Sequence, residues 1–67
     1  MNIGERLIEL RKEKNISQME LSKATGISQS AIARWELNKS EPTASAIVIL
    51  SKYFGESADY LLGLTDD

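Results

Sequence analysis

The chain has 67 residues, no Cys and no His, which excludes disulfides, thiolate or imidazole metal sites and catalysis built on those groups. Its 42% hydrophobic content favours a folded chain over a disordered one, and its length suffices for one domain, residues 1–67. The net charge of −2 is unevenly spread: residues 1–40 hold seven of the eight Lys and Arg against five acids, whereas residues 41–67 hold Lys52 against five acids.

A domain this small buries only about 60% of its unfolded surface, so its stability must come from a compact all-helical core with good caps. No apolar run approaches the ~18 residues of a membrane span. The first residues, MNIGERLIELRKEK, scatter charges among their apolar positions and so lack the continuous core of a signal peptide. A cytoplasmic protein without membrane contact is expected.

Residues 2–14 predict an amphipathic helix. Asn2 is its candidate cap, Glu5 follows three residues later, and Ile3, Leu7 and Leu10 repeat at core-facing spacing. Glu5, Glu9 and Glu13 lie near Arg6, Lys12 and Lys14, which predicts a mixed exposed face. Lys12 and Lys14 suit the negative end of the helix dipole. Asn15 tolerates the left-handed turn that ends a helix, and Ile16 is placed to act as a hydrophobic staple.

Residues 17–36, SQMELSKATGISQSAIARWE, hold two short helical patterns split by Thr25-Gly26-Ile27. Ser17-x-x-Glu20 fits a capping box, because the hydroxyl and carboxylate satisfy first-turn N–H groups reciprocally. Apolar positions fall at Met19, Leu21 and Ala24, and Gly26 takes a left-handed turn without steric cost. Ser28 caps again, and Ala31, Ile32 and Trp35 form the next stripe. Two helices around a short Gly-containing turn make a helix-turn-helix signature, or equally an ordinary helical hairpin.

A polar loop follows, Leu37-Asn38-Lys39-Ser40-Glu41-Pro42. Pro42 suits the entry of a helix, and Thr43 is the candidate cap of residues 44–54. Ala46, Ile47, Leu50 and Phe54 share one face of that helix, and Gly55 ends it. Ser57 caps a last short helix through Leu62, with Asp59 in its first turn and Tyr60, Leu61 and Leu64 on its apolar side. Gly63 stops it, and Thr65-Asp66-Asp67 is a polar tail.

Taken together, the chain resembles the phage-repressor (Cro/repressor, xenobiotic-response-element) type of helix-turn-helix domain. The matching motifs are Ile3-x-x-x-Leu7-x-x-Leu10-Arg11, Ser17-Gln18-x-Glu20-Leu21, Gly26-Ile27-Ser28-Gln29, Ile32-x-x-Trp35-Glu36, Glu41-Pro42 and Tyr60-Leu61-Leu62-Gly63. The resemblance implies an all-α, five-helix, lambda-repressor-like domain that binds operator DNA as a transcriptional regulator, expected to be a repressor. It implies a homodimer, with no cofactor, metal or small-molecule ligand.

In such domains the second helix of the motif lies in the major groove. Here that is residues 28–36, and the expected base contacts are Gln29, Ser30 and Arg34. Gln pairs bidentately with adenine and Arg with guanine, while a hydroxyl discriminates less. The expected phosphate contacts are Gln18 and Ser28 at helix N-termini, and Asn38, Lys39 and Ser40 on the following loop. Lys14 and Lys23 are weaker candidates. The same side chains would also suit a plain solvated face.

The resemblance assigns Arg11 and Glu36 to a partly buried structural ion pair, and Trp35 shares a face with Ile32 and is expected in the core. Three departures from the pattern stand out. Asn38 occupies a position where Gly is usual, Glu56 and Ala58 stand where larger apolar residues are common, and Ile49 and Tyr53 stand where polar or small residues are common. Ile49 and Tyr53 lie four apart and are the candidate dimer surface. A helical protein-interaction module, such as an antitoxin or adaptor, is the competing reading. An enzyme fits poorly, since Ser28 and Ser30 have no evident base and no Gly-rich phosphate loop is present.

Overall fold

The computed structural model describes residues 1–65. Asp66 and Asp67 of the expected polar tail lie outside the described residues. Five helices follow in order: α1 Ile3–Lys14, α2 Gln18–Thr25, α3 Gln29–Glu36, α4 Ala44–Phe54 and α5 Ala58–Leu61. No strand occurs among the described residues. The architecture is all-α, as expected.

Each helix starts where its cap side chain meets an orphan N–H. Asn2 accepts from Glu5 N–H at 2.9 Å while the Glu5 carboxylate accepts from Asn2 N–H at 3.2 Å. Ser17 and Glu20 repeat the reciprocal arrangement at 3.0 and 2.9 Å. Ser28, Thr43 and Ser57 accept from Ala31, Ala46 and Tyr60. Removing one such cap costs ~1 kcal/mol.

The core gathers one stripe from each helix: Ile3, Leu7 and Leu10 of α1, Leu21 of α2, Ile32 and Trp35 of α3, Ala46 and Leu50 of α4, and Leu61 of α5. Ile16, Ile27, Ile47, Phe54 and Tyr60 close over its edges. Three expected apolar positions stay outside. Met19 and Ala24 are exposed, because an eight-residue helix held mainly through Leu21 presents its other sides to water. Leu64 is 73% exposed, because it follows the end of α5 and no longer shares that helix's buried side.

Arg6 departs most from the expected mixed face. It is only 4% exposed, and its guanidinium stacks over the Tyr60 ring at 3.8 Å. Its Nε donates to Tyr60 O at 2.9 Å, Nη2 to Thr65 O at 3.3 Å, and Nη1 to Glu9 at 3.0 Å. A planar fork of donors satisfies carbonyls at the end of a short helix while its flat face covers an aromatic ring. This ties α1 to α5 and to Thr65 beyond it. Arg6→Ala removes both the stack and the carbonyl partners. It should destabilise the protein by roughly 2–3 kcal/mol and lower Tm by about 10 °C or more in thermal CD melts. Arg6→Lys should recover only part of this loss, because an ammonium neither stacks nor forks.

Candidate nucleic-acid interface

Helices α2 and α3 are joined at Gly26, whose φ of 78° is the left-handed value that a Cβ opposes. Thr25 fastens the turn from within: its hydroxyl donates to Leu21 O at 2.7 Å and accepts from Ile27 N–H at 3.3 Å. Ile32 and Trp35 pin α3 to the core. The rest of α3 is therefore left outward, and Gln29, Ser30 and Arg34 are all exposed on it.

Behind α3 lies a bidentate ion pair. Arg11 Nε and Nη2 donate to Glu36 Oε2 and Oε1 at 2.6 and 2.8 Å, and Nη1 caps Ile16 O at 2.9 Å. The side chains are 15% and 4% exposed respectively. The bonds to Glu36 raise the Arg11 pKa above its ordinary value; burial opposes the shift and the carboxylate's charge adds to it. Glu36 is thus neutralised in place, so one of the five acids in the more basic stretch contributes little repulsion at the surface.

The ion pair continues into the exposed side of α3. Gln18 Nε2 donates to Glu36 Oε1 at 2.9 Å, and Gln18 Oε1 accepts from Gln29 Nε2 at 3.2 Å. The direction follows from chemistry. A carboxylate only accepts, so Gln18 must turn its NH2 inward and its oxygen outward. Gln29 then points its own NH2 at Gln18 and keeps its oxygen and a second N–H for another partner. That remaining pair is the donor–acceptor set which adenine N7 and N6 require. Besides the phosphate contact expected of it, Gln18 bridges Glu36 to Gln29 and so orients the Gln29 amide. The signal in the sequence was Gln recurring at the first position of both helices.

Ser28 is engaged as a cap, accepting from Ala31 N–H at 3.2 Å, and its hydroxyl lies 3.4 Å from that of Ser30. The Arg34 side chain has no hydrogen-bond partner among the described residues and stands exposed in the last turn of α3.

Asn38 has φ 59°, the left-handed value that Gly would supply there. It closes α3 with a Schellman pattern: Asn38 N–H donates to Trp35 O at 3.1 Å and Lys39 N–H to Arg34 O at 2.9 Å. These two loop N–H groups are therefore spent on the helix end. Lys39 and Ser40 are exposed beyond it. Of the weaker candidates, Lys23 is exposed, and Lys14 sits with its ammonium 5.2 Å from the Tyr53 ring centroid. Gln29, Ser30 and Arg34 thus share one outward side, flanked by Ser28 and the loop of Lys39 and Ser40.

The helix-turn-helix family model matches residues 7–61. The repressor protein C2 of Salmonella phage P22 is 42% identical over 60 residues, covering 90% of this chain and 28% of C2. The HTH-type transcriptional activator BcrR of Enterococcus faecalis is 36% identical over 62 residues, covering 92% of this chain and 30% of BcrR. The chain thus spans less than a third of these two relatives. Among solved structures, the P22 c2 repressor in complex with a synthetic operator superposes with a TM-score of 0.86 at 40% identity, covering 92% of this chain and 94% of that one. The matched length and the shared five-helix geometry show that this chain belongs to the helix-turn-helix family, in its phage-repressor-like branch.

Proposed function

We propose that this chain binds double-stranded DNA sequence-specifically as a transcriptional regulator, with α3 in the major groove. The observation that carries the proposal is the outward row of Gln29, Ser30 and Arg34, held from behind by Gln18, Glu36 and Arg11. The likeness to a repressor solved on its operator supports it. Gln29 and Arg34 read base edges, and Ser30 adds a less selective contact. Lys39, Ser40 and the N-terminal ends of α2 and α3, with Gln18 and Ser28, meet phosphates. Asn38 shapes the loop that carries Lys39. The relatives include a repressor and an activator, so the shared domain supplies DNA binding and not a direction of regulation. Such a regulator works beside the chromosome, so the cytoplasm is the proposed location.

Binding should be measured on a selected duplex and on a scrambled one across a salt series. Phosphate neutralisation gives log K falling linearly with log salt, by about 0.9 for each phosphate contacted. A steep slope with tighter binding to the selected duplex supports the proposal. Equal, weak binding to both duplexes would favour a protein-interaction module instead.

Pairing of two copies on a palindrome would place two α3 helices ~34–36 Å apart. The proposed contact is on α4, where Val48 and Ile49 are 52% and 40% exposed. Tyr53 is less available than its spacing implied, being half-buried and packed edge-on against Phe54 at 5.0 Å. Replacing both Ile49 and Tyr53 with Lys should raise the dimer dissociation constant in sedimentation by tenfold or more. Ile49→Lys alone should account for most of the change, and an unaltered constant would remove this surface.

A further inference from the structure

Gly4 stands inside α1, where Gly is among the poorest helix formers and Ala would be favoured by propensity alone. It is buried, and a Cβ placed on it would lie 2.5 Å from Trp35 O, 2.7 Å from Asn38 Oδ1 and 3.2 Å from Asn38 Cγ. Both neighbours belong to the turn that closes α3. Trp35 O is the carbonyl that receives Asn38 N–H, and Asn38 is the left-handed residue from which Lys39 and Ser40 emerge. The backbone of α1 therefore lies directly against the turn. The Asn38 amide rests on Gly4.

We infer that Gly4 is a positioning residue for the DNA-backbone loop: its bare Cα seats the Asn38 turn and thereby sets where Lys39 and Ser40 stand relative to α3. The inference rests on the reading that this loop meets phosphate. A methyl at Gly4 meets a backbone carbonyl that cannot rotate away, since Trp35 is anchored in the core. The softer response is outward displacement of the turn and its amide. That carries Lys39 away from its place while leaving Gln29 and Arg34, earlier on α3, where they are.

The test compares Gly4→Ala, Lys39→Ala and the double variant with wild type on a selected duplex across a salt series, with far-UV CD as the measure of folding. Gly4→Ala should stay helical, bind about tenfold more weakly, and show a slope shallower by about one unit, as for loss of one phosphate contact. Sequence preference should be retained. In the Lys39→Ala background the same methyl should cost much less, because the contact it displaces is already gone. Wild-type affinity and slope in Gly4→Ala would overturn the inference, as would a loss fully additive with Lys39→Ala. If Gly4→Ala loses its helical signal, Asn38→Gly takes its place. That change keeps the left-handed turn, removes the amide that rests on Gly4, and should also lower the slope; an unchanged slope would overturn the inference. Failure of the wild type itself to prefer any duplex would refute the loop's phosphate role, and the inference with it.

Discussion

Glu36→Ala should be among the most damaging single substitutions in this chain. The carboxylate accepts two bonds from Arg11 and one from Gln18, in a place where its side chain is 4% exposed. Removing it leaves a partly buried guanidinium with Ile16 O as its remaining acceptor among the described residues. Breaking a buried pair by deleting one partner costs ~3–5 kcal/mol. A chain of this length has roughly 3–10 kcal/mol in total, at ~0.05–0.15 per residue. The expected result is a Tm lower by at least about 15 °C in CD melts, with a sizeable unfolded fraction already at room temperature. Arg11→Met combined with Glu36→Leu should cost much less than Glu36→Ala, because neither charge is then stranded. A Glu36→Ala variant melting within a few degrees of wild type would contradict the assignment of this pair to holding α3 against α1.

Arg34→Ala should show the opposite profile, a loss of reading without a loss of fold. The Arg34 side chain is exposed and has no partner among the described residues, so its removal should move Tm by no more than about 4 °C. A bidentate Arg–guanine contact is worth ~1–3 kcal/mol of discrimination. Preference at one position of each half-site should fall by about tenfold to a hundredfold, with the salt slope nearly unchanged. Gln29→Ala should erase preference at a different position, and its Tm cost should also be small because its bond to Gln18 is exposed. Lys39→Ala supplies the contrast: weaker binding to every duplex alike and a slope shallower by about one unit. If Arg34→Ala weakened all duplexes equally, Arg34 would be a phosphate contact.

These predictions differ in how far the sequence alone could carry them. The five caps were legible because each is a local event, a side chain reaching an N–H three residues on. Asn38 was legible only through the resemblance, which puts Gly at its position. The pairing of Arg11 with Glu36 required the family resemblance, because 25 residues separate them and nothing local links them. Arg6 was misplaced on the solvated face. Its partners, Tyr60 O and Thr65 O, lie 54 and 59 residues away, and backbone acceptors leave no mark on the sequence. The bridge from Glu36 through Gln18 to Gln29 was not read from the sequence, because it forms only once α1, α2 and α3 have packed. Met19 and Ala24 show the limit of periodicity in short helices. Two turns define a buried side only where one large residue, here Leu21, dominates the contact. Gly4 carries no local signal in the sequence, because the Trp35 carbonyl that approaches it lies on another helix.

The central claim is that α3 reads base edges. Selection of bound duplexes from a random pool tests it most directly, with wild type, Gln29→Ala and Arg34→Ala run side by side. The wild type should enrich half-sites related by two-fold symmetry and spaced about one helical turn apart. Each variant should lose preference at its own position and keep the rest. A wild-type protein that enriches no sequence, or variants that enrich the same sites as the wild type, would contradict the claim.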